Sequence, residues 1–276
     1  MYMRKEKIMK KQKISQKKNN GKNLKKNNGN NLKRKKNKIP KILFSILIII
    51  GILICILMTP IFDVKQISVK GNEQISTTQI ISLSQIKNGE NIIKYKKNQI
   101  VKNIKENPYI KTVNIKKKYP NSIEISVTER NVRLMIQLLS SYAYTDSQGY
   151  ILEISQEKKD VPILKGIATN ENDILPGKRL EIKDLEKLGD VLKILEAVNE
   201  INIQSNITYI DISDDNNYII YIEKEKKTIY LGDVKNLNNK MLYLKKILEK
   251  EAEYEGEIFL NGNLNEGFNP YFREKV

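Results

Sequence analysis

Hydrophobic residues form one uninterrupted run near the start of the chain, from Ile42 to Phe62. This run of 21 residues contains no charged side chain, and Lys41 and Asp63 bound it. At about 1.5 Å per residue it gives a helix of about 31 Å, close to the thickness of a bilayer's hydrocarbon core. We therefore predict a transmembrane helix over residues 42–62. It is expected to be retained, because residues 58–61 lack the small-residue pair of a signal cleavage site. A buried helix of a soluble core is the alternative, although such helices rarely lack a polar face.

The hydrophobic pattern that follows predicts a small domain over residues 63–131. The expected elements are a strand at 64–69, a helix capped by Ser76, a helix at about 96–105, and strands at 110–115 and 123–127. The second helix must end before Pro108, which disfavours helical geometry in the preceding residue. The order strand, helix, helix, strand, strand favours a three-stranded sheet with two helices on one face.

A second mixed α+β domain is predicted for residues 132–262, and a C-terminal tail for 263–276. Its expected elements are two short strands around the turn Asp146–Gly149, a helix carrying Leu185, Leu188, Leu192 and Leu195, strands at 207–212, 218–223 and 228–231, a helix through 237–248, and a last strand at 256–260. The fold class predicted for the whole chain is α+β after a single N-terminal span.

Basic residues are concentrated in the first 41 positions. These positions hold 17 lysine or arginine side chains and one acid, Glu6, whereas the remaining residues hold 32 basic and 31 acidic side chains. The net charge of +17 therefore belongs to this Lys- and Asn-rich tail, which we predict to be disordered. Under the positive-inside rule it stays cytoplasmic, and the domains after the span are exported. A basic tail beside a membrane favours contact with anionic lipid over nucleic-acid binding.

The chain offers few side chains for catalysis or metal binding. Its one cysteine, Cys55, lies inside the apolar run, and histidine is absent. Zinc sites built from His and Cys, Ser-His-Asp triads and Cys-His dyads are thereby excluded. We expect no disulfide in the exported part, no cofactor, no metal and no enzymatic activity.

Six short segments follow the predicted span in a fixed order. They are Phe62-Asp63-Val64 leading to Val69-Lys70-Gly71-Asn72, Gly89-Glu90-Asn91, Asn107-Pro108-Tyr109-Ile110, Tyr119-Pro120-Asn121 and Ile125-Ser126-Val127-Thr128-Glu129-Arg130. Together they resemble the POTRA domain of the FtsQ/DivIB cell-division family. Two later segments, Val161–Gly166 and Leu231-Gly232 with Lys240-Met241, resemble elements of that family's β domain, with Val161 in place of the usual Leu. The resemblance covers about residues 42–272.

This resemblance implies a non-enzymatic divisome scaffold, at the division septum of the cell membrane, that links early and late division proteins. The implied partners are FtsL-like and FtsB/DivIC-like single-span proteins and septal wall synthases, with no small-molecule substrate. A membrane-anchored cell-wall hydrolase is the enzyme alternative and would need paired carboxylates, such as those of Asp211, Asp214 and Glu223. A POTRA-type chaperone or transport module is another, but it would need a long series of barrel strands that the sequence lacks.

Aromatic residues near the C-terminus are the candidate partner-binding site. If residues 258–260 form an edge strand, their free backbone groups could accept a strand from another protein. The alternative is that the tail folds back on the helix through 237–248. The candidate site residues are Ile258, Phe259, Leu260, Phe268, Tyr271 and Phe272.

Three sets of charged residues have more than one expected role. Glu129 and Arg130 either fix the domain junction, as the resemblance implies, or form an ordinary surface ion pair. Asp211, Asp214 and Asp215 lack the spacing of an EF-hand and are expected in a solvated hairpin turn. The run Lys116–Lys118 is expected to keep an edge strand soluble, with a basic patch for anionic polymer as the alternative.

Overall fold

The structure, a computed structural model, describes residues 39–203 and 207–275. Apart from its last three residues, the predicted basic tail lies outside the described residues. The apolar run forms helix α1, Ile39–Leu57. Within the described residues, α1 is the one helix long and apolar enough to cross a membrane, with a mean hydropathy of 2.8 and no buried residue.

Helix α1 begins three residues before the predicted start and ends at Leu57 rather than Phe62. Proline explains the early end, because Pro60 offers no N–H to continue the helix and restricts the residue before it. Thr59 accordingly has an extended backbone, and Pro60–Phe62 form a single turn of 3₁₀-helix.

The first domain has the predicted order of elements. They are β1 (Gln66–Lys70), α2 (Thr77–Ser84), α3 (Lys97–Ile104), β2 (Ile110–Lys118) and β3 (Ser122–Glu129). The sheet order is β1-β3-β2, with β3 parallel to β1 and antiparallel to β2. The prediction of a three-stranded sheet with two helices is confirmed.

Local sequence signals explain where α2 begins. Ser76 has an extended backbone, and its side chain accepts a hydrogen bond from the Gln79 backbone N–H, as an N-cap residue does. The apolar residues of both helices and of β3 then share one core, of which Ile80, Ile100 and Ile125 are fully buried.

Within the described residues, the second domain contains nine strands and two α-helices. They are β4 (Leu134–Gln137), β5 (Tyr142–Thr145), β6 (Ile151–Ser155), β7 (Ile163–Lys165), α4 (Ile182–Glu200), β8 (Ile207–Asp211), β9 (Tyr218–Ile222), β10 (Lys227–Gly232), α5 (Leu237–Lys250), β11 (Gly256–Phe259) and β12 (Tyr271–Glu274).

All nine strands join one sheet, in the order β12-β11-β10-β9-β8-β7-β4-β5-β6. Its main core combines one face of the sheet with the apolar sides of α4 and α5, through residues such as Val191, Leu244 and Ile229. A much smaller cluster, formed by Met135, Tyr144 and Ile163, lies apart from this core. The two helices therefore pack on the face of the sheet that forms the main core. The smaller cluster belongs to the other face.

The predicted elements do not include β4 or β12, which lie at the start of the predicted second domain and in the predicted C-terminal tail. The apolar run of β4 does not alternate, because Leu134 and Ile136 enter the main core while Met135 enters the smaller cluster. Strand β12 is only four residues long. Short strands without a clear period of two carry little local signal.

Candidate partner-binding site

The C-terminal end of the sheet is built from three strands that adjoin in the order β10, β11, β12. Strand β11 runs parallel to β10, and β12 pairs antiparallel with β11. The condition that residues 258–260 form an edge strand is not met, because β11 lies between two other strands. The edge strand of the described sheet at this end is β12.

Alternation along the chain in and beside β11 and β12 divides five of the six predicted site residues between two faces, and the sixth, Phe268, precedes β12. Ile258 and Leu260 are fully buried in the main core, and half-buried Phe272 packs against it. Phe259 and Tyr271 belong to the opposite face, where Tyr271 is 48% exposed. The predicted set therefore mixes residues that build the core with residues that a partner could touch.

The opposite face carries a stack of aromatic rings across all three strands. The ring of Phe259 lies 4.9 Å from that of Tyr230 and 4.8 Å from that of Tyr271, measured between centroids. Phe268 meets Tyr271 edge-on at 6.3 Å. We call these four residues the aromatic ladder. It reaches the open edge, since Tyr271 belongs to β12.

A charged pair lies beside the aromatic ladder. Glu257 and Arg273 face each other in the β11–β12 register, and the Arg273 guanidinium donates to the Glu257 carboxylate. The Tyr230 hydroxyl donates to the same carboxylate at 3.0 Å. These hydrogen bonds, from Arg273 first, lower the pKa of Glu257. The side chains that flank the ladder thus bind one another across three strands.

The hydrogen-bond pattern determines which backbone groups of β12 are free to bind. The Lys275 N–H donates to the Glu255 carbonyl at 3.0 Å, so odd-numbered residues of β12 form the hydrogen-bonded pairs with β11. Phe272 and Glu274 therefore turn their N–H and C=O groups away from β11. These groups line the edge where a further strand would add.

Close backbone approach holds β12 against β11 at Gly256. A Cβ atom at this position would meet the Arg273 carbonyl oxygen, and would lie 2.8 Å from the Phe272 ring. Only a residue without a side chain allows β12 to pack this closely.

The predicted junction residues, Glu129 and Arg130, contact different domains. The Glu129 carboxylate accepts backbone N–H groups from residues 73–75, at 2.8–3.1 Å, within the first domain. The Arg130 guanidinium donates to Asp146 at 2.5 Å in the second domain and lies 3.8 Å from the centre of the Tyr150 ring. The two residues do not pair with each other as a surface ion pair would.

A tight turn of the second domain receives Arg130. The predicted turn is confirmed, since the Gly149 N–H donates to the Asp146 carbonyl and Gly149 has a φ of +75°. The Asp146 carboxylate also accepts the N–H groups of Gln148 and Tyr150. Its remaining oxygen faces Arg130, whose side chain is only 10% exposed. The turn and the arginine thus form one hydrogen-bonded unit.

Known proteins match both domains of the chain. Residues 62–130 match the family described as "POTRA domain, FtsQ-type", and residues 131–257 match "FtsQ/DivIB, C-terminal related". A cell division protein DivIB of Clostridium acetobutylicum is 30% identical over 195 residues, which cover 68% of this chain and 76% of that protein. The chain belongs to the FtsQ/DivIB family. It therefore takes part in bacterial cell division.

Two further cell division proteins of this family are similar to the chain at lower identity. DivIB of Clostridium tetani is 29% identical over 213 residues, or 77% of this chain and 80% of that protein. Cell division protein FtsQ of Syntrophotalea carbinolica is 24% identical over 162 residues, or 58% of this chain and 56% of that protein. The limit between the two matched domains lies at residues 130 and 131, directly after Arg130.

One FtsQ/DivIB-like sequence pattern, Leu231-Gly232 followed by Lys240, has a clear structural role here. The Lys240 ammonium is 4% exposed and donates to the carbonyl oxygens of Leu231 and Asp233, at 2.9 and 2.7 Å. It also pairs with the Asp233 carboxylate. A single buried lysine in α5 thereby holds the end of β10, the strand that carries Tyr230.

The remaining candidate groups have local partners. The predicted polar turn between β8 and β9 is confirmed, and there Asp211 and Asp214 accept backbone N–H groups within the turn. Glu223 follows β9 at its other end, four residues beyond Ile219, which pairs with Asp211. That separation is about 13 Å along the backbone, so Asp211 and Glu223 lie at opposite ends of the β8–β9 pair. Lys116–Lys118 lie on β2, an edge strand, as expected.

Sequence reasoning missed Tyr230, Glu257 and Arg273. For Tyr230 a signal was present, because Thr228 and Tyr230 alternate with buried Ile229 and Leu231 along β10. An outward-facing tyrosine between two core positions indicates a face that is not fully solvated. The pairing that brings Arg273 to Glu257 had no such signal, since it depends on β12.

Proposed function

We propose that this FtsQ/DivIB protein is a non-enzymatic scaffold of the division septum. In this proposal α1 anchors it in the cell membrane, the basic tail stays in the cytoplasm and contacts anionic lipid, and both folded domains are exported. Membership of a cell-division family supports the process, and the length and apolarity of α1 support the anchor.

The single observation that carries the mechanism is the open edge of β12 beside the aromatic ladder. A partner in extended conformation adds as the next strand, pairing with the outward backbone groups of Phe272 and Glu274. Tyr271 and Phe268 then supply aromatic contact area close to this edge. The partners are single-span division proteins of the FtsL and FtsB/DivIC types, and through them septal wall synthases.

Arg130 acts as the domain junction in the same proposal. It holds the POTRA domain against the Asp146–Gly149 turn, so a partner bound at β12 and a partner bound at the POTRA domain are held at a defined separation. A scaffold needs such a fixed geometry, because flexible linkage would lower the effective concentration of one partner near another.

Proline substitution at position 274 tests strand addition directly. Glu274→Pro removes one outward N–H group and leaves the β11–β12 hydrogen bonds intact, since proline is tolerated where an edge N–H faces solvent. The matched control, Glu274→Ala, removes the same side chain and keeps the N–H. We expect the proline variant to lose co-purification of FtsL-type and DivIC-type partners, and the alanine variant to retain it.

Equal binding by the two variants would exclude strand addition at this edge. A circular-dichroism spectrum unchanged from that of the unsubstituted protein shows that the proline variant has folded. Deleting residues 257–276 should likewise abolish partner binding while membrane insertion persists.

A further inference from the structure

The loop of residues 89–94 in the POTRA domain is fastened to the chain segment that leaves α1. The Val64 N–H donates to the Glu90 carbonyl at 2.9 Å, and the Ile92 N–H donates to the Phe62 carbonyl at 2.8 Å. The Asn91 side-chain amide donates to the Leu57 carbonyl at 2.8 Å. That carbonyl is one of the last four of α1, which have no partner within the helix. The loop is thus hydrogen-bonded to the very end of α1.

Large apolar side chains are exposed on both parts of this arrangement. Met58 is 76% exposed, Ile61 is 60% exposed and Ile93 is 41% exposed. We call residues 58–62 and 89–94 together the collar. The collar borders a groove of about 480 Å³ that is also lined by Ile54 and Leu57 of α1. Ile54 and Leu57 of α1 thus border the same groove as Met58 and Ile93 of the collar.

The charges around the groove have mixed signs. Asp63 and Glu90 line it together with Lys94. The Glu90 carboxylate also accepts the Tyr95 hydroxyl at 3.0 Å. Lys94 can pair with the phosphate of a zwitterionic head group, and Asp63 and Glu90 can pair with its ammonium. Binding of this rim to lipid therefore does not require a net negative lipid charge.

We infer that the collar is a membrane-contact surface, in which Ile61 and Ile93 enter the outer leaflet beside α1. Its occupant is the lipid bilayer itself. If α1 spans the membrane, its last turn lies at the boundary between lipid and water, and the hydrogen bonds of Asn91 and Ile92 hold Ile93 at that boundary. Apolar side chains in this position insert about 5–10 Å into the interface between head groups and acyl chains.

The inference rests on the proposed membrane anchor and adds a role for the POTRA domain. The domain is attached to the membrane through its own loop as well as through the chain connection. A protein partner that used the collar would have to displace lipid from a surface continuous with α1. For that reason the observations favour lipid over protein as the occupant.

Tryptophan reporters provide the test, because the chain contains no tryptophan and each substitution gives a single fluorophore. The reporters are Ile93→Trp and Ile61→Trp in the collar, Leu47→Trp within α1, and Leu139→Trp, at a residue that is 97% exposed in the β4–β5 turn. Each full-length variant is reconstituted into phosphatidylcholine vesicles with and without brominated acyl chains, and its fluorescence quenching is measured.

We expect strong quenching of Leu47→Trp, and quenching of both collar reporters that exceeds that of Leu139→Trp several-fold. Quenching of the collar reporters equal to that of Leu139→Trp, with Leu47→Trp quenched, would overturn the inference and leave the anchor standing. If Leu47→Trp also escapes quenching, the proposed anchor fails together with the inference. The two collar reporters lie in separate segments, so misfolding of one variant leaves the other to decide.

Discussion

At the residue scale, several charged side chains join separate elements of the fold. Glu129 accepts three backbone N–H groups that precede α2, and Arg130 contacts a turn of the other domain. Lys240 holds the end of β10. In each case an ionised group takes part in the hydrogen bond, and such bonds are stronger than those between neutral groups.

Arg130→Ala should destabilise the protein by about 3 kcal/mol, because it leaves the buried Asp146 carboxylate without its cation. Urea unfolding, followed by circular dichroism, measures the loss. The matched control is Arg133→Ala, three residues further on and exposed, which should change stability by less than about 0.5 kcal/mol. Similar losses in the two variants would contradict a special role for Arg130.

Glu124 should make the POTRA domain sensitive to acid. It lies on the central strand β3 and pairs with Lys118 and Lys70 on the two neighbouring strands, and hydrogen bonds from Lys118 and then Lys70 lower its pKa from 4.5 to about 2. A carboxylate with a lowered pKa in the folded state stabilises fully above its unfolded pKa. This stabilisation is lost as the pH falls from about 4.5 to about 2.

Comparison with Glu124→Gln measures that contribution. The difference in unfolding free energy between the unsubstituted protein and Glu124→Gln should stay constant above pH 4.5 and shrink as the pH falls to about 2. Glu106→Gln, at an exposed position of the same domain, is the control and should show no such change. A difference that does not depend on pH would contradict the role of the ion pairs.

At the element scale, the helices and strands begin and end where single residues require it. Ser76 caps α2, Pro60 ends the apolar helix early, and Gly256 lets β12 approach β11. Two other glycines have opposite expected effects on stability, because their backbone conformations and their neighbours differ. Gly189 lies inside α4 with no atom near its missing Cβ, whereas Gly149 has a positive φ and faces Leu185.

Alanine at these two glycines should have opposite effects. Gly189→Ala should raise the free energy of unfolding by about 1 kcal/mol, because glycine weakens a helix interior. Gly149→Ala should lower it by about 1–2 kcal/mol or more, since alanine resists a left-handed conformation and its Cβ would lie 2.5 Å from the Leu185 side chain. Thermal unfolding of the two variants measures both changes, and effects of the same sign would contradict this account of α4 and of the turn.

At the scale of the whole molecule, the chain separates charge from fold. Nearly all of the net charge lies before α1, and the two sheets lie after it. The proposed orientation follows from this asymmetry, because lysine and arginine beside a span are retained on the cytoplasmic side.

Protease treatment of protoplasts tests the orientation. A tag at the C-terminus should be digested from outside, and a tag at the N-terminus should be protected until the membrane is dissolved. The reverse pattern would contradict the proposed orientation. An N-terminal fluorescent fusion should in addition concentrate at the septum of dividing cells, and a uniform membrane signal would count against the septal scaffold.

The sequence by itself determined the apolar helix, the order of elements in the POTRA domain and the family. These features depend on local signals, namely hydrophobic periodicity, the Ser76 cap and the turn at Asp146–Gly149, which act over a few neighbouring residues. The sequence also pointed to the C-terminal aromatic residues as a site, and that remains a proposal.

Only the tertiary structure decided which strand forms the edge of the sheet and which site residues face outward. Strand β12 is short and gains its stability from pairing with β11, so no local pattern marks it, and its presence moves the edge away from Ile258 and Leu260. The partners of Glu129 and Arg130 were hidden for the same reason, since Glu129 binds backbone more than fifty residues earlier. Contacts between segments distant in sequence form only in the packed fold. The sequence around each partner, taken alone, therefore does not reveal them.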